Sequence, residues 1–229
     1  MKEQNFISAV AYVRDDAAAI PIFAAALGRV LESRFLHYEV IFVDDASTDA
    51  SREAIRAAAA HFPSGTVQIV RMSYPQGLEL SMEAGDALAI GDYVYEFDTL
   101  AIDYDTALIT DLYDAALAGS DIVTAAPAGG QPLTSRLFYR LYNASAHTAY
   151  PLQTEAFRLL SRRALNRSRT MSRTIPYRKA VYANCGLAQT AISYPPQGTA
   201  HRREAGGRWR QAVDALILFT DLGYRAAFA

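Results

Sequence analysis

The sequence predicts an α/β protein in which a mostly parallel β-sheet carries helices on both of its faces. Strand-like and helix-like segments alternate over the first 124 residues, as they do in sheets built from crossover units. The strand-like segments are mostly apolar, which is typical of strands covered on both sides. Of the 229 residues, 51% are hydrophobic and 20% charged. This composition excludes a disordered chain and suffices for a sizeable core.

Five strands and four helices are expected in the first half of the chain. Short apolar or β-branched runs predict the strands, and runs with apolar residues at helical spacing predict the helices. Asp15 or Asp16 is available to cap the first helix, and residues 47–49 to cap the second. The strands are expected at residues 6–13, 38–43, 66–72, 93–97 and 121–124, and the helices at 17–31, 51–62, 76–90 and 104–118.

The second half has a different pattern. Residues 125–132 are rich in Ala, Gly and Pro, which predicts a mobile connection rather than a linker between domains. Beyond this connection we expect a helix at 134–146, a short strand at 155–160, a basic segment at 162–173 and an amphipathic helix at 206–222.

Charge is distributed unevenly along the chain, although the net charge is only −2. Residues 1–135 hold 7 basic and 20 acidic side chains, whereas residues 136–229 hold 15 basic and 4 acidic ones. Of the 22 basic residues, 20 are arginine, the side chain suited to bidentate contacts with phosphate or carboxylate. Two interpretations stay open: a general compositional bias toward arginine, or a second half that faces an anionic partner.

Several classes of protein are not expected. Cys185 is the only cysteine, which excludes an internal disulfide and a cysteine-based zinc site and fits a reducing cytoplasm. Neither a transmembrane helix nor a signal peptide is expected from the hydropathy pattern. No G-x-G-x-x-G follows a strand, and the basic residues match no motif that reads nucleic acid. A dinucleotide-dependent oxidoreductase and a nucleic-acid-binding protein are therefore disfavoured.

Polar residues stand at the carboxyl ends of three predicted strands, the edge at which such sheets bind their ligands. They are residues 14–16 after the first strand, Asp44 and Asp45 after the second, and Asp98 after the fourth. Adjacent carboxylates at the end of a buried strand repel each other unless a partner gains from their charge. A nucleotide is one such partner, because carboxylates accept hydrogen bonds from base N–H groups and ribose hydroxyls. The alternative is a capped turn in which one aspartate is solvated.

Blocks spread over about residues 6–222 resemble the family 2 glycosyltransferases. The family commonly writes its second block as DDGSTD and its third as A-x-GD. The second half extends the likeness toward the dolichyl- or polyprenyl-phosphate sugar transferase branch. The blocks are residues 7–10 (ISAV), 43–49 (VDDASTD), Gly85 with 89–94 (AIGDYV), 135–143 (SRLFYRLYN), 157–162 (FRLLSR) and 202–207 (RREAGG).

This resemblance implies the GT-A fold, a Rossmann-like arrangement, and transfer of a sugar with inversion from a UDP- or GDP-sugar to a polyprenyl phosphate or a glycan. It implies a single GT-A domain over residues 1–229, in which residues 1–124 bind the nucleotide sugar and residues 133–229 bind the acceptor. It also implies a role in making cell-envelope polysaccharide. Such a protein is expected in the cytoplasm, with peripheral contact at the inner face of the membrane.

The residues that the resemblance assigns to the nucleotide sugar lie at the strand ends. Asp45 matches the position that reads the base or ribose, and Asp44 supports it. Arg14 stands where the family usually has an aromatic residue, which leaves the identity of the donor open. The full expected set is Tyr12, Arg14, Asp16, Asp44, Asp45, Ser47, Gly77 and Asp98.

The expected metal site departs from the family pattern. The family's Asp-x-Asp falls on residues 98–100 (DTL), so Asp98 is the one carboxylate left to bind a divalent cation. Leucine supplies no oxygen ligand to Mg²⁺ or Mn²⁺. Either a substitute ligand is present, or arginines neutralise the leaving diphosphate without a metal, or the site has lost catalysis. The substitute ligands to consider are Glu96, expected on the same side of its strand as Asp98, and Asp103 or Asp105.

Two further roles concern the second half. Inverting transfer to a hydroxyl needs a carboxylate to take its proton, and positive charge near the leaving diphosphate. Glu155 is the only acidic residue within 122–203. It is therefore the candidate base, and its alternative role is to pair with nearby arginines. Arg158, Arg202 and Arg203 are expected near phosphates of donor or acceptor, with a solvated loop as the alternative for the last two.

A second hypothesis comes from another class of function. A catalytically degenerate protein of the same fold would bind a nucleotide or a protein partner without turning over a sugar. The leucine at position 100 motivates this alternative.

Overall fold

Strands and helices alternate through the part of the chain that the computed structural model describes, residues 2–129, 133–146, 150–171 and 177–197. The strands are β1 Ile7–Val13, β2 Tyr38–Asp44, β3 Thr66–Arg71, β4 Tyr93–Phe97, β5 Ile122–Pro127, β6 Phe157–Ser161 and β7 Gln189–Tyr194. The helices are α1 Ile20–Arg34, α2 Ser51–Ala58 with a 3₁₀ turn at Ala59–His61, α3 Leu78–Leu88, α4 Ala107–Leu117, α5 Leu133–Ser145, α6 Arg162–Met171 and α7 Arg178–Asn184.

One sheet contains these strands in the order β3-β2-β1-β4-β6-β5-β7. The neighbours β3, β2, β1 and β4 run parallel, and β5 pairs in parallel with β7. Strand β6 lies between β4 and β5 and runs antiparallel to both. The predicted mostly parallel sheet is therefore confirmed. The carboxyl ends of β2, β1 and β4 lie side by side at one edge.

Helices cover both faces of the sheet with separate apolar layers. On one face, α1 and α4 pack against the strands through aromatic residues such as Phe23, Phe97 and Tyr113, which are at most 1% exposed. On the other face, α3, α6 and α7 form a second apolar layer that includes Met82 and Leu165. Burial of this kind stabilises the fold by about 25 cal/mol for each Å² of apolar surface removed from water.

Gly85 sets how closely α3 approaches the sheet. A Cβ atom at this position would stand 2.5 Å from Val10 Cγ1 and 2.6 Å from Val43 Cγ2. Any side chain here would push α3 away from β1 and β2, so the close packing of this helix depends on glycine.

The predicted side-chain cap of α1 is wrong. The N-cap residue is Ala19, without a side-chain hydrogen bond, and the backbone carbonyl of Asp16 accepts from the amides of Ala19 and Ile20. The carboxylate of Asp15 instead accepts from the Thr48 amide at 2.6 Å, which ties the loop after β1 to the loop after β2. At α2 the carboxylate of Asp49 does accept from the first helical amide, at 3.0 Å.

The sheet edge beyond β6 differs most from expectation. Strand β5 continues to Pro127, inside the predicted connection 125–132, because its last residues pair with β6 and β7. Strand β7 and helix α7 were not predicted; β7 is a half-exposed edge strand without regular alternation, and α7 has only seven residues. The predicted helix at 206–222 lies outside the described residues.

Candidate active site

Asp44 and Asp45 end β2 in a tight, buried turn. Each is about 1% exposed, so the alternative in which one of them is solvated is wrong. Asp44 Oδ1 accepts from the Ser47 amide at 2.8 Å, and the Asp45 amide donates to the Val13 carbonyl at 2.9 Å. Ala46 has a φ of +53°, a left-handed conformation that glycine adopts without strain, and the family commonly has glycine here.

The Asp45 carboxylate organises the neighbouring loop. Its Oδ1 accepts from the Gln76 amide at 2.7 Å, and its Oδ2 accepts from the Gly77 amide and the Tyr12 hydroxyl, each at 2.9 Å. Burial and this hydrogen bond raise the pKa of Tyr12 far above its usual range. A carboxylate offers about four acceptor positions, and the described residues fill three of them, which leaves one on Oδ1.

The remaining predicted residues of this edge are held by the same loops. Arg14 donates from Nη1 to the Asp45 backbone carbonyl at 2.5 Å, and its side chain is 30% exposed. Ser47 Oγ accepts from the Asp15 amide at 2.9 Å, and the Asp16 amide donates to Ser51 Oγ at 2.9 Å. The structure thus brings the predicted residues after β1 and β2, with Gly77, to one edge of the sheet.

Asp98 lies in a second, strongly charged cluster. Its Oδ2 accepts from Arg158 Nη2 at 2.7 Å and its Oδ1 from Arg178 Nη2 at 2.6 Å. Burial alone would raise the pKa of Asp98, but the two guanidinium groups outweigh it and hold that pKa well below its usual range. Both arginine side chains are only 1% exposed.

Glu96 completes this cluster on the same side of β4, as the alternation of the strand predicts. Its Oε2 accepts from Nη1 of both Arg158 and Arg178, and its Oε1 accepts from the Tyr182 hydroxyl at 2.5 Å. Although burial opposes ionisation, the two arginines lower the pKa of Glu96. We define Glu96, Asp98, Arg158 and Arg178 as the charge quartet.

Three more acidic residues surround the charge quartet. Arg178 Nε donates to Glu79 at 2.9 Å, and Arg158 Nε donates to Glu155 at 2.8 Å. Asp86 is 2% exposed, and its Oδ1 has no hydrogen-bond partner in the part of the chain that the structure describes. Burial and the charge of Glu96 raise the pKa of Asp86 well above its usual range.

The residues around Asp98 do not fit a divalent cation. Both Asp98 oxygens are bound to guanidinium groups, and Leu100 is 3% exposed in the apolar layer of α1 and α4. Asp103 accepts from the Tyr194 hydroxyl, and Asp105 accepts from the Ala107 amide at the start of α4. No group of three or more His, Cys, Asp or Glu side chains that suits a metal ion occurs among the described residues.

A cavity of about 160 Å³ opens beside the charge quartet, between α7, the segment 150–155 and the strands β5 and β7. Its charged lining residues are Glu155, Arg158 and Lys179. Lys179 Nζ stands 3.9 Å from Glu155 Oε2. Glu155 therefore has the arginine partner that the alternative interpretation expected, and it also faces an open space.

The sequence did not predict four residues of this cluster, Glu79, Asp86, Arg178 and Tyr182. None of them belongs to a recognisable motif. In addition, Arg178 is 80 or more residues away along the chain from Glu79, Glu96 and Asp98. The only available signal was the charge of Glu79, Asp86 and Arg178. The expected phosphate contacts Arg202 and Arg203 lie outside the described residues.

The chain belongs to glycosyl transferase family 2, since the family model matches residues 18–169. It is 26% identical over 196 residues to the prophage bactoprenol glucosyl transferase homolog of Escherichia coli, covering 82% of this chain and 62% of that protein. It is 32% identical over 119 residues to undecaprenyl-phosphate 4-deoxy-4-formamido-L-arabinose transferase of Aeromonas hydrophila, covering 52% and 36%. The chain spans 53% to 64% of the first curated relatives it matches.

The fold matches solved glycosyltransferase structures. The mannosyltransferase of Pyrobaculum calidifontis, in complex with GDP-Man and Mn²⁺, has a TM-score of 0.67 and 19% sequence identity. The match covers 97% of this chain and 65% of that one. The predicted GT-A fold is thereby confirmed.

Proposed function

We propose that this chain transfers a sugar, with inversion, from a UDP- or GDP-sugar to a polyprenyl phosphate in the synthesis of cell-envelope polysaccharide. One observation carries the proposal: the buried Asp44 and Asp45, with Tyr12, Arg14 and Gly77, occupy the strand edge where such sheets bind ligands. Family membership and two relatives, a bactoprenol glucosyl transferase homolog and an undecaprenyl-phosphate sugar transferase, support the reaction class and acceptor.

In this proposal the nucleoside lies against Asp45 and the diphosphate lies toward Arg14. The remaining acceptor position on Asp45 Oδ1 receives a base N–H or a ribose hydroxyl. Asp44 holds the turn through Ser47, and Asp16 holds the adjoining loop. Residues 1–124 thus serve the donor, and residues 133–229 serve the acceptor.

The acceptor enters the cavity beside the charge quartet, where Lys179 offers a cation to its phosphate. The second pKa of a phosphate monoester is about 6, so its oxygen is largely deprotonated at neutral pH and needs no base. Glu155 is placed to take the proton only from a hydroxyl acceptor. With a phosphate acceptor its role is to hold Arg158 and Lys179.

The change Glu155→Gln separates the two acceptor classes. We expect a loss of less than about tenfold in kcat/KM, because a phosphate acceptor does not require general base catalysis, which is worth about 10²–10⁴-fold. The assay is transfer of labelled sugar into an organic-extractable product. Glu53→Gln, an exposed glutamate of α2, is the matched control. A loss of a hundredfold or more would instead identify a hydroxyl acceptor and Glu155 as its base.

Peripheral membrane contact is assigned to the outer face of α5. Leu137 and Leu141 are 68% and 42% exposed, and Arg136 and Arg140 are exposed beside them. The inner face is fixed by buried Tyr142. Two leucines flanked by two arginines suit an anionic bilayer surface. Within the described residues, no helix is both long and apolar enough to span a membrane.

Replacing both Leu137 and Leu141 with glutamate is expected to lower binding to vesicles rich in phosphatidylglycerol by at least about tenfold. Each leucine contributes part of the roughly 1.5–3 kcal/mol available from its burial, and 1.4 kcal/mol is a factor of ten. Vesicle flotation measures the effect. Leu117→Glu, at a 48% exposed position of α4, is the control. Equal flotation of the double variant and wild type would remove α5 from the contact.

The second candidate is a nucleotide-binding protein of this family without sugar turnover. The charge quartet and the buried Leu100 favour it, because they leave no cation site at Asp98. Labelled sugar transfer decides between the two. Product formation from a UDP- or GDP-sugar supports the transferase, whereas nucleotide binding with neither transfer nor hydrolysis supports the second candidate.

A further inference from the structure

The charge quartet balances two carboxylates with two positive charges, as a divalent metal site does. Its carboxylates, however, bind arginines and not a metal ion. Each guanidinium group spans both carboxylates, with Nη1 on Glu96 and Nη2 on Asp98. Within the quartet, two positive charges therefore match the two negative charges of Glu96 and Asp98, and Glu79 and Glu155 add further negative charge around it. A divalent cation bound by two carboxylates has the same net charge of zero.

We propose that the Arg158–Arg178 pair takes the place of a divalent cation in this chain, which binds its nucleoside diphosphate without a metal ion. The nucleotide part of this inference rests on the proposed function. The part that concerns metal binding rests on the charge quartet alone.

The two arginines are fixed from opposite sides of the cluster. Arg158 lies directly opposite Glu96 in the antiparallel pairing of β4 with β6, so the register of the sheet places its guanidinium group. Arg178 is the first residue of α7, and both its backbone amide and its Nε bind Glu79. Neither side chain can leave without breaking contacts on a different element.

A metal ion would have to displace at least one guanidinium group to reach Asp98. The displaced arginine is 1% exposed and would stay buried after losing its ion pair with Asp98. Breaking a buried ion pair is strongly unfavourable. On the other side, Leu100 offers no oxygen to compensate for this loss. Both the displacement of an arginine and the binding of a metal ion in its place are therefore unfavourable.

The experiment measures Mn²⁺ binding and nucleotide binding separately on the 229-residue chain after removal of metals. Electron paramagnetic resonance follows free Mn²⁺ as wild-type protein and Asp98→Asn are added. Calorimetry follows UDP and GDP binding in EDTA and in Mn²⁺. We expect wild type to leave the Mn²⁺ signal unchanged. We expect the Kd of the preferred nucleotide to differ by less than about twofold between the two buffers.

Two results would overturn the inference. One is Mn²⁺ binding by wild type that Asp98→Asn abolishes. The other is nucleotide binding that is at least about tenfold tighter in Mn²⁺ than in EDTA. Absence of nucleotide binding in both buffers would overturn the proposed function and the nucleotide part of this inference, while the Mn²⁺ titration still decides the metal part.

A variant that lacks one arginine also tests whether the Arg158–Arg178 pair takes the place of a divalent cation. Arg178→Gln removes one positive charge and releases Asp98 Oδ1, so we expect this variant to acquire Mn²⁺ binding. Arg163→Gln, which breaks the ion pair of a 69% exposed arginine with Asp121, is the matched control and should acquire none. A folded Arg178→Gln protein that binds no Mn²⁺ would contradict the proposal that the arginine pair takes the place of a divalent cation. If Arg178→Gln fails to fold, the wild-type titrations decide alone.

Discussion

Arg158→Met is expected to lower the free energy of unfolding by about 3–5 kcal/mol, the cost of removing one partner from a buried ion pair. Arg158 binds three carboxylates, those of Glu96, Asp98 and Glu155, and is fully enclosed. Methionine fills a similar volume but removes the positive charge that these three carboxylates share. Urea unfolding followed by circular dichroism measures the change.

The control for this prediction is Arg163→Met, which removes a surface ion pair with Asp121 and should cost no more than about 1 kcal/mol. If Arg158→Met is as mildly destabilising as this control, the charge quartet does not stabilise the fold as we describe.

The charge quartet and Asp86 also determine how the stability of the folded state changes with pH. Asp98 and Glu96 have pKa values below their usual ones, so the stability they contribute is complete above the unfolded values of about 4 and is lost as the pH falls below them. Asp86 has a raised pKa and acts in the opposite direction, favouring the folded state at low pH. We therefore expect Asp98 and Glu96 to destabilise the folded state as the pH falls from about 5 to about 2. This acid limb should be shallower in Arg158→Met.

Asp45→Asn is expected to weaken the binding of the preferred nucleotide by about tenfold to a hundredfold. A hydrogen bond to a charged group is worth about 1.5–3 kcal/mol, and the amide also presents N–H groups to backbone amides that need an acceptor. The loop at Gln76 and Gly77 therefore loses its anchor as well. Calorimetric titration with UDP and GDP gives the affinities.

Asp92→Asn provides the control for the nucleotide measurement. Asp92 directly precedes β4, at the opposite edge of the sheet, where its carboxylate accepts from the Phe6 amide at 2.8 Å. This variant should bind nucleotide as wild type does. Equal affinities for Asp45→Asn and Asp92→Asn would show that the ends of β1 and β2 are not the nucleotide site.

The first half of the fold was predictable because its information is local. Strands β1 to β4 coincide with apolar runs, and their ends fall within one or two residues of prediction. The edge with Asp44 and Asp45 was predictable for the same reason, since parallel strands bring their carboxyl ends together whatever the details of the helices.

The charge quartet was not predictable, because its contacts depend on pairing between distant segments. Glu96 meets Arg158 only because β6 enters the sheet antiparallel to β4, and sequence alternation does not specify that direction. Arg178 reaches the same carboxylates from a short helix that the sequence does not indicate. The resemblance predicted an incomplete metal motif at Leu100, but local sequence carried no sign of which cations stand beside Asp98.

Crystals of the 229-residue chain soaked with UDP or GDP test the central claim most directly. We predict density for the nucleoside at the carboxyl ends of β1 and β2, with a base N–H or ribose hydroxyl within hydrogen-bonding distance of Asp45 Oδ1. A nucleotide bound at any other surface, or packed side chains that leave no room beside Asp45, would contradict the account.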